Sequence, residues 1–204
     1  MTGNYRKLSS LEELHALYGE PGAPALRKVA RRLTPLYRQW IMASRFCIVS
    51  TVGPEGADGS PRGDDGPVVQ ELDDTTLLMP DWRGNNRLDS LRNIVRDGRI
   101  ALMFMVPGEN TVVRVNGRAW LSDDKALRAR FEQKGRQPAT VIGIEIAEIY
   151  SQCPKSLIRA GLWGRDDSAD LPTLGQILAE MTEGDIAAQE WDATYPDRAK
   201  QTLW

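Results

Sequence analysis

The chain has 204 residues, 41% hydrophobic and 26% charged, with 26 lysines and arginines against 28 acids. That balance excludes wholesale disorder and gives no global basic field for nucleic acid. One histidine, His15, and two cysteines, Cys47 and Cys153, leave no multi-histidine zinc centre, no bound metal and no disulfide framework to expect.

In chain order, Ser10-Leu11-Glu12-Glu13 fits a capping box and opens a short helix bearing Leu11, Leu14, His15 and Leu17. His15 reads as a solvated or packed helix residue rather than a catalytic one. Two further helical pieces follow between Ala25 and Ala43, split at Thr34-Pro35, where threonine caps and proline suits the first turn. At Phe46 the pattern changes to a β-branched run that stops at Gly53-Pro54-Glu55-Gly56. Strands are expected at 66–72, 75–79, 99–106, 111–121 and 140–150, with turns at Asp73-Asp74 and Pro107-Gly108-Glu109-Asn110. Two helices interrupt them, at 86–96 with a stripe of Leu88, Leu91 and Val95, and at 123–134. Beyond Tyr150 the chain turns helical and polar. No run approaches the roughly 18 apolar residues of a membrane span, and the N-terminus lacks the apolar centre of a signal peptide. A cytoplasmic protein is the expectation. Five or six strands with helices at both ends predict a mainly β fold, a small barrel with flanking helices. One domain, 1–204, is expected, with N-terminal helices at 1–44, the barrel at 45–150 and a helical extension at 151–204.

Two segments carry candidate chemistry: Gly59-Ser60-Pro61-Arg62-Gly63-Asp64, and the stretch from Met79 to Asn93. In the second, a strand ends in a polar loop that opens directly into a helix, whose first backbone amides attract anions. Asn86, Arg87 and Ser90 add side-chain donors there, and Arg62 a second positive charge. Together they form a cradle for one phosphate. A plainer explanation stands beside it, because arginines at helix starts are commonly solvated and asparagine-rich loops serve turn geometry. Cys47 reads as a small core residue. Cys153 lies near Lys155, and Trp82 lies beside the cradle, where stacking on a ligand and simple packing both suit it. Asp64 and Asp81 are explained by hydrogen bonds to nearby arginines without any acid–base role.

The succession Phe46–Val52, Ser60-Pro61-Arg62-Gly63-Asp64, Leu77-Leu78-Met79-Pro80-Asp81, Gly84 to Asn93 and Arg114-Val115-Asn116-Gly117-Arg118 resembles the pyridoxamine 5′-phosphate oxidase-related FMN-binding proteins. It is most similar to a subgroup with an SPRGD strand and a GNxRLDSLRN helix start, and the likeness runs from about Pro35 to Trp163. The resemblance implies a split β-barrel that forms a homodimer with two FMN molecules at the subunit interface. It places the FMN phosphate on Asn86 and Arg87, with Ser90 nearby and Leu88 among the cofactor-binding positions. The strand of Ser60, Arg62, Gly63 and Asp64 would pass the ribityl chain and isoalloxazine, flanked by Met79, Pro80 and Asp81. Lys155, Arg159 and Trp163 would close the site from the partner subunit.

Two departures matter. The serine-arginine-lysine phosphate motif of true pyridoxamine phosphate oxidases is Asn86-Arg87-Leu88 here, and their C-terminal arginine-histidine segment has no counterpart. The reading is therefore an FMN-dependent oxidoreductase acting on a small molecule other than a B6 vitamer, with no side chain singled out as catalytic. A reduced nicotinamide, NAD(P)H, would donate electrons transiently, as no GxGxxG fingerprint is present. The alternatives are a flavin-storage or sensor protein and a deazaflavin-dependent reductase; haem is disfavoured by the lone histidine.

Overall fold

Strand β1 (Phe46–Gly53) buries Cys47, Val49 and Thr51 and turns Phe46 and Ser50 outward. This is the two-residue period of a strand with one dry face. The computed structural model, which describes residues 5–204, pairs β1 with β2 (Gly56–Gly63) on one side and β5 (Arg99–Met105) on the other. Strands β6 (Val112–Ser122), β7 (Thr140–Gln152), β4 (Thr76–Asp81) and β3 (Gln70–Asp73) complete one antiparallel sheet, in the order β2-β1-β5-β6-β7-β4-β3. Side chains bring its ends together. Arg62 of β2 donates to Asp81 of β4 at 2.6 Å, and Trp82 Nε1 donates to Asp64 at 2.8 Å. The result is a split barrel, mainly β with flanking helices.

The core fills from both sides of the closed sheet. Phe104, Leu102, Val115, Ile142, Ile144, Leu77 and Met79 form one cluster with Ile41. Five consecutive residues of β4 are buried because its two faces are both covered. Leu77 and Met79 point into this main cluster, while Leu78 joins Phe131 and Val141 in a second. Two glycines permit close approaches. A Cβ on Gly143 would meet the Trp120 ring at 2.1 Å, and one on Gly117, at the β6 bulge, would meet the Glu145 carbonyl at 1.9 Å.

There are seven strands rather than five or six, and the one that periodicity missed is β2. Its sequence, GADGSPRG, has neither alternation nor β-branched residues. Its backbone pairs along the whole of β1 all the same, because the neighbouring strand supplies hydrogen-bond partners whatever the propensity. The strand expected at 66–72 begins only at Gln70, and Val68 and Val69 are buried in the loop before it.

The helices follow their caps. Helix α1 (Leu11–Tyr18) is capped by Ser10, α2 spans Ala23–Arg27, and α3 (Pro35–Met42) is capped by Thr34. The reciprocal half of the expected α1 capping box shifts by one residue, since the Glu13 carboxylate accepts from the Ser9 amide at 2.8 Å. Helix α4 (Asp89–Arg96) packs against β1. Its buried residues are Ser90, Asn93 and Ile94, whereas Leu88 and Val95 are exposed, so the expected Leu88–Leu91–Val95 stripe is corrected. The inward face is held by polar groups: Asn93 Nδ2 donates to the Thr51 hydroxyl at 3.1 Å, and the Ser90 hydroxyl donates to Asp58. Helix α5 (Lys125–Ala129) is shorter than 123–134, because the chain then makes a tight Gln133–Arg136 turn with Lys134 and Gly135 at positive φ. Helices α6 (Lys155–Ala160), α7 (Leu174–Met181) and α8 (Ala188–Thr202) follow the barrel. Asp192 of α8 ties α7 to it by accepting from the Thr173 hydroxyl and the Gly175 amide.

Candidate functional site

Where β2 meets the end of β4 and the start of α4, a cleft of about 2000 Å³ opens. Ser60, Arg62, Gly63, Asp64, Pro80, Asp81, Asn86, Arg87, Leu88 and Ser90 all line it, so the fold brings together residues separated by up to thirty positions in sequence. Met79 belongs to the core, fully buried, and does not line the cleft. Lys155 and Arg159 lie on α6, outside it, and Trp163 donates its indole N–H to the Glu109 carbonyl at 2.9 Å.

The end of the cleft at the start of α4 is shaped by two strained residues. Asn86 and Leu88 both lie in the left-handed region, at φ of 60° and 61°. Asparagine tolerates this, but a leucine there costs about 1–2 kcal/mol. Leu88 occupies the N-cap of α4, and an aliphatic side chain cannot accept a hydrogen bond, so the helix starts with no side-chain cap. Its first-turn amides and the positive end of its dipole are left for an anion in the cleft. Arg87 stands beside them with its side chain 76% exposed, paired with Asp89 at 2.9 Å. Ser90 is placed differently from a free donor, because its hydroxyl is committed to Asp58.

The middle of the cleft is more enclosed. Arg62 and Asp81 form an ion pair with side chains only 19% and 13% exposed. The Arg62 Nε and the Thr140 hydroxyl, both buried and both on cleft residues, have no hydrogen-bond partner among the described residues. Buried polar groups are normally paired, so these two are places where a ligand would contribute. Asp81 answers to an arginine as expected, but Asp64 answers to the Trp82 indole instead. Five arginines and four aspartates line the cleft, and Arg83, Arg128 and Arg136 are the cations outside the Arg62 and Arg87 pairs. The lining therefore favours an anionic ligand.

Burial pushes the Cys47 thiol up to about 12, against a smaller opposite pull from Arg62, its cross-strand neighbour. It is a core residue with no thiolate to offer. Cys153 is exposed, and so is His15 on α1, away from the cleft. No group of histidines, cysteines and carboxylates among the described residues is arranged to hold a metal ion. No helix among them is long and apolar enough to cross a membrane.

Sequence reasoning missed Arg136, Gln137 and the segment Gln201 to Trp204, which also line the cleft. Nothing local marks them: the turn before β7 brings Arg136 and Gln137 there, and the path of α8 brings Gln201 to Trp204.

No curated protein matches the chain. Among solved structures, HupZ from Group A Streptococcus is similar at 18% identity and a TM-score of 0.48, over 58% of this chain and 93% of that one. General Stress Protein 26 from Bacillus anthracis is similar at 17% identity and 0.43, over 56% and 88%. A Clostridium acetobutylicum protein related to general stress protein 26, of the pyridoxinephosphate oxidase family, is similar at 11% identity and 0.44, over 56% and 84%. The family model described as pyridoxamine 5′-phosphate oxidase matches residues 33–153, from the last turn before α3 to the end of β7. With more than half of its length matched, the chain belongs to the pyridoxamine 5′-phosphate oxidase family.

Proposed function

We propose that the chain is an FMN-dependent oxidoreductase that works as a homodimer. The observation that carries this is the uncapped start of α4, with exposed Arg87 beside it, at one end of a cleft large enough for a flavin nucleotide. Asn86, Arg87 and the first amides of α4 would hold the phosphate. Ser60, Arg62, Gly63 and Asp64 would run beside the ribityl chain and ring, and the unpaired Arg62 Nε and Thr140 hydroxyl fit the polar edge of such a ligand. Pro80 and Asp81 would bound the cleft from the β4 side, with Asp81 fixing the orientation of Arg62.

Bound FMN supplies the hydride and electron chemistry. This chain's residues supply binding, orientation and exclusion of water. The largely buried Arg62–Asp81 pair fixes the guanidinium at the cleft floor, where its unpaired Nε–H would be left to donate to a ligand. In the dimer, Lys155, Arg159 and Trp163 of a second copy would close the open mouth, since in one chain they lie elsewhere. The electron donor in this reading is NAD(P)H.

The substrate in this reading is a small molecule other than a B6 vitamer, because the arginine-histidine segment that would grip a vitamer's phosphate has no counterpart here, His15 being the only histidine. Titration of purified protein with FMN and with riboflavin tests the proposal. FMN is expected to bind at least about tenfold more tightly, the minimum for one charged hydrogen bond to phosphate. Equal affinities, or no flavin binding, would remove it. NADH oxidation under air by the loaded protein then separates an enzyme from a carrier.

A further inference from the structure

One side of the cleft comes from outside the family-matched region. The hydrogen bonds that tie α8 to the barrel, among the described residues, are both made by Arg136. Its Nη1 donates to the Gln201 carbonyl at 3.0 Å and to the Trp204 carbonyl at 2.7 Å. The Trp204 ring meets Trp82 edge-on, with centroids 5.2 Å apart and planes at 80°. Trp82 is in turn held by Asp64, one of the residues beside the proposed flavin path. Gln201, Thr202, Leu203 and Trp204 thus form a wall that touches the ligand side of the cleft directly.

The wall differs from the others in how it is fixed. β2, β4 and β7 are held by sheet hydrogen bonds, and α4 by buried polar pairs. The 201–204 segment has two hydrogen bonds to an exposed arginine and one aromatic contact. So few contacts open at a small fraction of the cost of unfolding the barrel.

We propose that Trp204 is a specificity-determining residue of the flavin site: latched through Arg136, it sets the size of what enters the cleft beside the cofactor. This rests on the flavin reading above. With the wall in place, the Trp82–Trp204 pair borders the cleft, and the indole faces favour an aromatic ring there. Displacing the wall exposes Trp82 and frees the Arg136 guanidinium for an anionic group.

The test uses FMN-loaded full-length protein: wild type, Trp204→Ala, Trp204→Phe and Arg136→Ala. Two quantities are measured, the quenching of bound-FMN fluorescence by acrylamide and the rate of FMN release on dilution. Loss of the aromatic contact or its latch is expected to raise both by about twofold to tenfold. Trp204→Phe, which keeps a ring against Trp82, is expected to stay near wild type. Adding Arg136→Ala to Trp204→Ala is expected to give little further change, because the two act on one contact. Arg136 is exposed, so its variant tests the latch even where a change at Trp204 disturbs folding. FMN that binds but is quenched and released at wild-type rates in all variants would overturn this proposal alone. A wild type that binds no FMN would overturn the flavin reading and this one with it.

Discussion

Arg87 shares its guanidinium with Asp89 and is largely solvated, so a bound phosphate competes with a carboxylate already in place. Charged hydrogen bonds contribute about 1.5–3 kcal/mol, and the competition puts Arg87 at the lower end. Arg87→Ala is therefore expected to weaken FMN by about tenfold while leaving riboflavin nearly unchanged. Parallel fluorescence titrations of both flavins check this, and an equal loss would show that Arg87 acts on the ring or on folding. The cysteines give a second test. Cys47 is buried with its thiol pushed up to about 12, and Cys153 is exposed. Iodoacetamide at neutral pH is expected to modify Cys153 alone in the native protein and both after denaturation, as read by mass spectrometry. Native modification at Cys47 would mean that β1 opens readily.

At the scale of elements, α4 is seated by buried polar pairs as well as by Ile94 and Leu91, which pack on the main core. One of its polar contacts, fully buried, runs from Asn93 to Thr51, and Gly53 gives Asn93 room: a Cβ there would meet the Asn93 side-chain amide oxygen. Gly53→Ala is expected to break that bond and shift the helix, at about 1–3 kcal/mol of stability, the usual penalty for a buried polar group left unpaired. Urea melts would show the loss, and FMN affinity would fall with it because the anion end of the cleft is the start of the same helix. The turn after α4 adds a pH dependence. Asp97 is held down to about 2, first by the Arg99 guanidinium and then by the Arg99 amide. Its folded-state value lies below its ordinary 3.8, so its contribution is fully present above that value and is lost as pH falls through about 2. An NMR titration is expected to find the Asp97 carboxyl ionised down to this range, and Arg99→Ala to move its midpoint up toward 3.8.

At the scale of the molecule, one chain leaves its cleft open on one side and an apolar surface uncovered on another. Ile158, Leu162, Trp163 and Phe46 are exposed near α6 and β1, beside the outer cluster of Met105, Val112 and Leu157. A homodimer would cover such a surface, and an obligate interface buries roughly 2,000 Å² or more. Light scattering is expected to return the mass of two chains rather than the 22.8 kDa of one. A stable FMN-bound monomer would instead require the site to be complete in a single chain.

Much of this was legible from residue order. The alternation in β1 and β6, the Thr34-Pro35 start of α3 and the turn at Pro107 to Asn110 are local signals, as is the Asp73-Asp74 turn, which falls one residue later at Asp74-Thr75; all are set by side-chain period and turn chemistry over a few residues. The SPRGD and GNNRLDSLRN segments likewise pointed to one site, because residue types suited to an anion cluster within each. What the sequence could not determine depends on distant partners. β2 is a strand because β1 pairs with it, and α4 buries Ser90 and Asn93 because Asp58 and Thr51 await them. Trp204 lines the cleft because Arg136 holds it there. Hydrophobic period reports burial only when burial is apolar; where polar groups are buried against partners tens of residues away, only the tertiary structure decides the outcome.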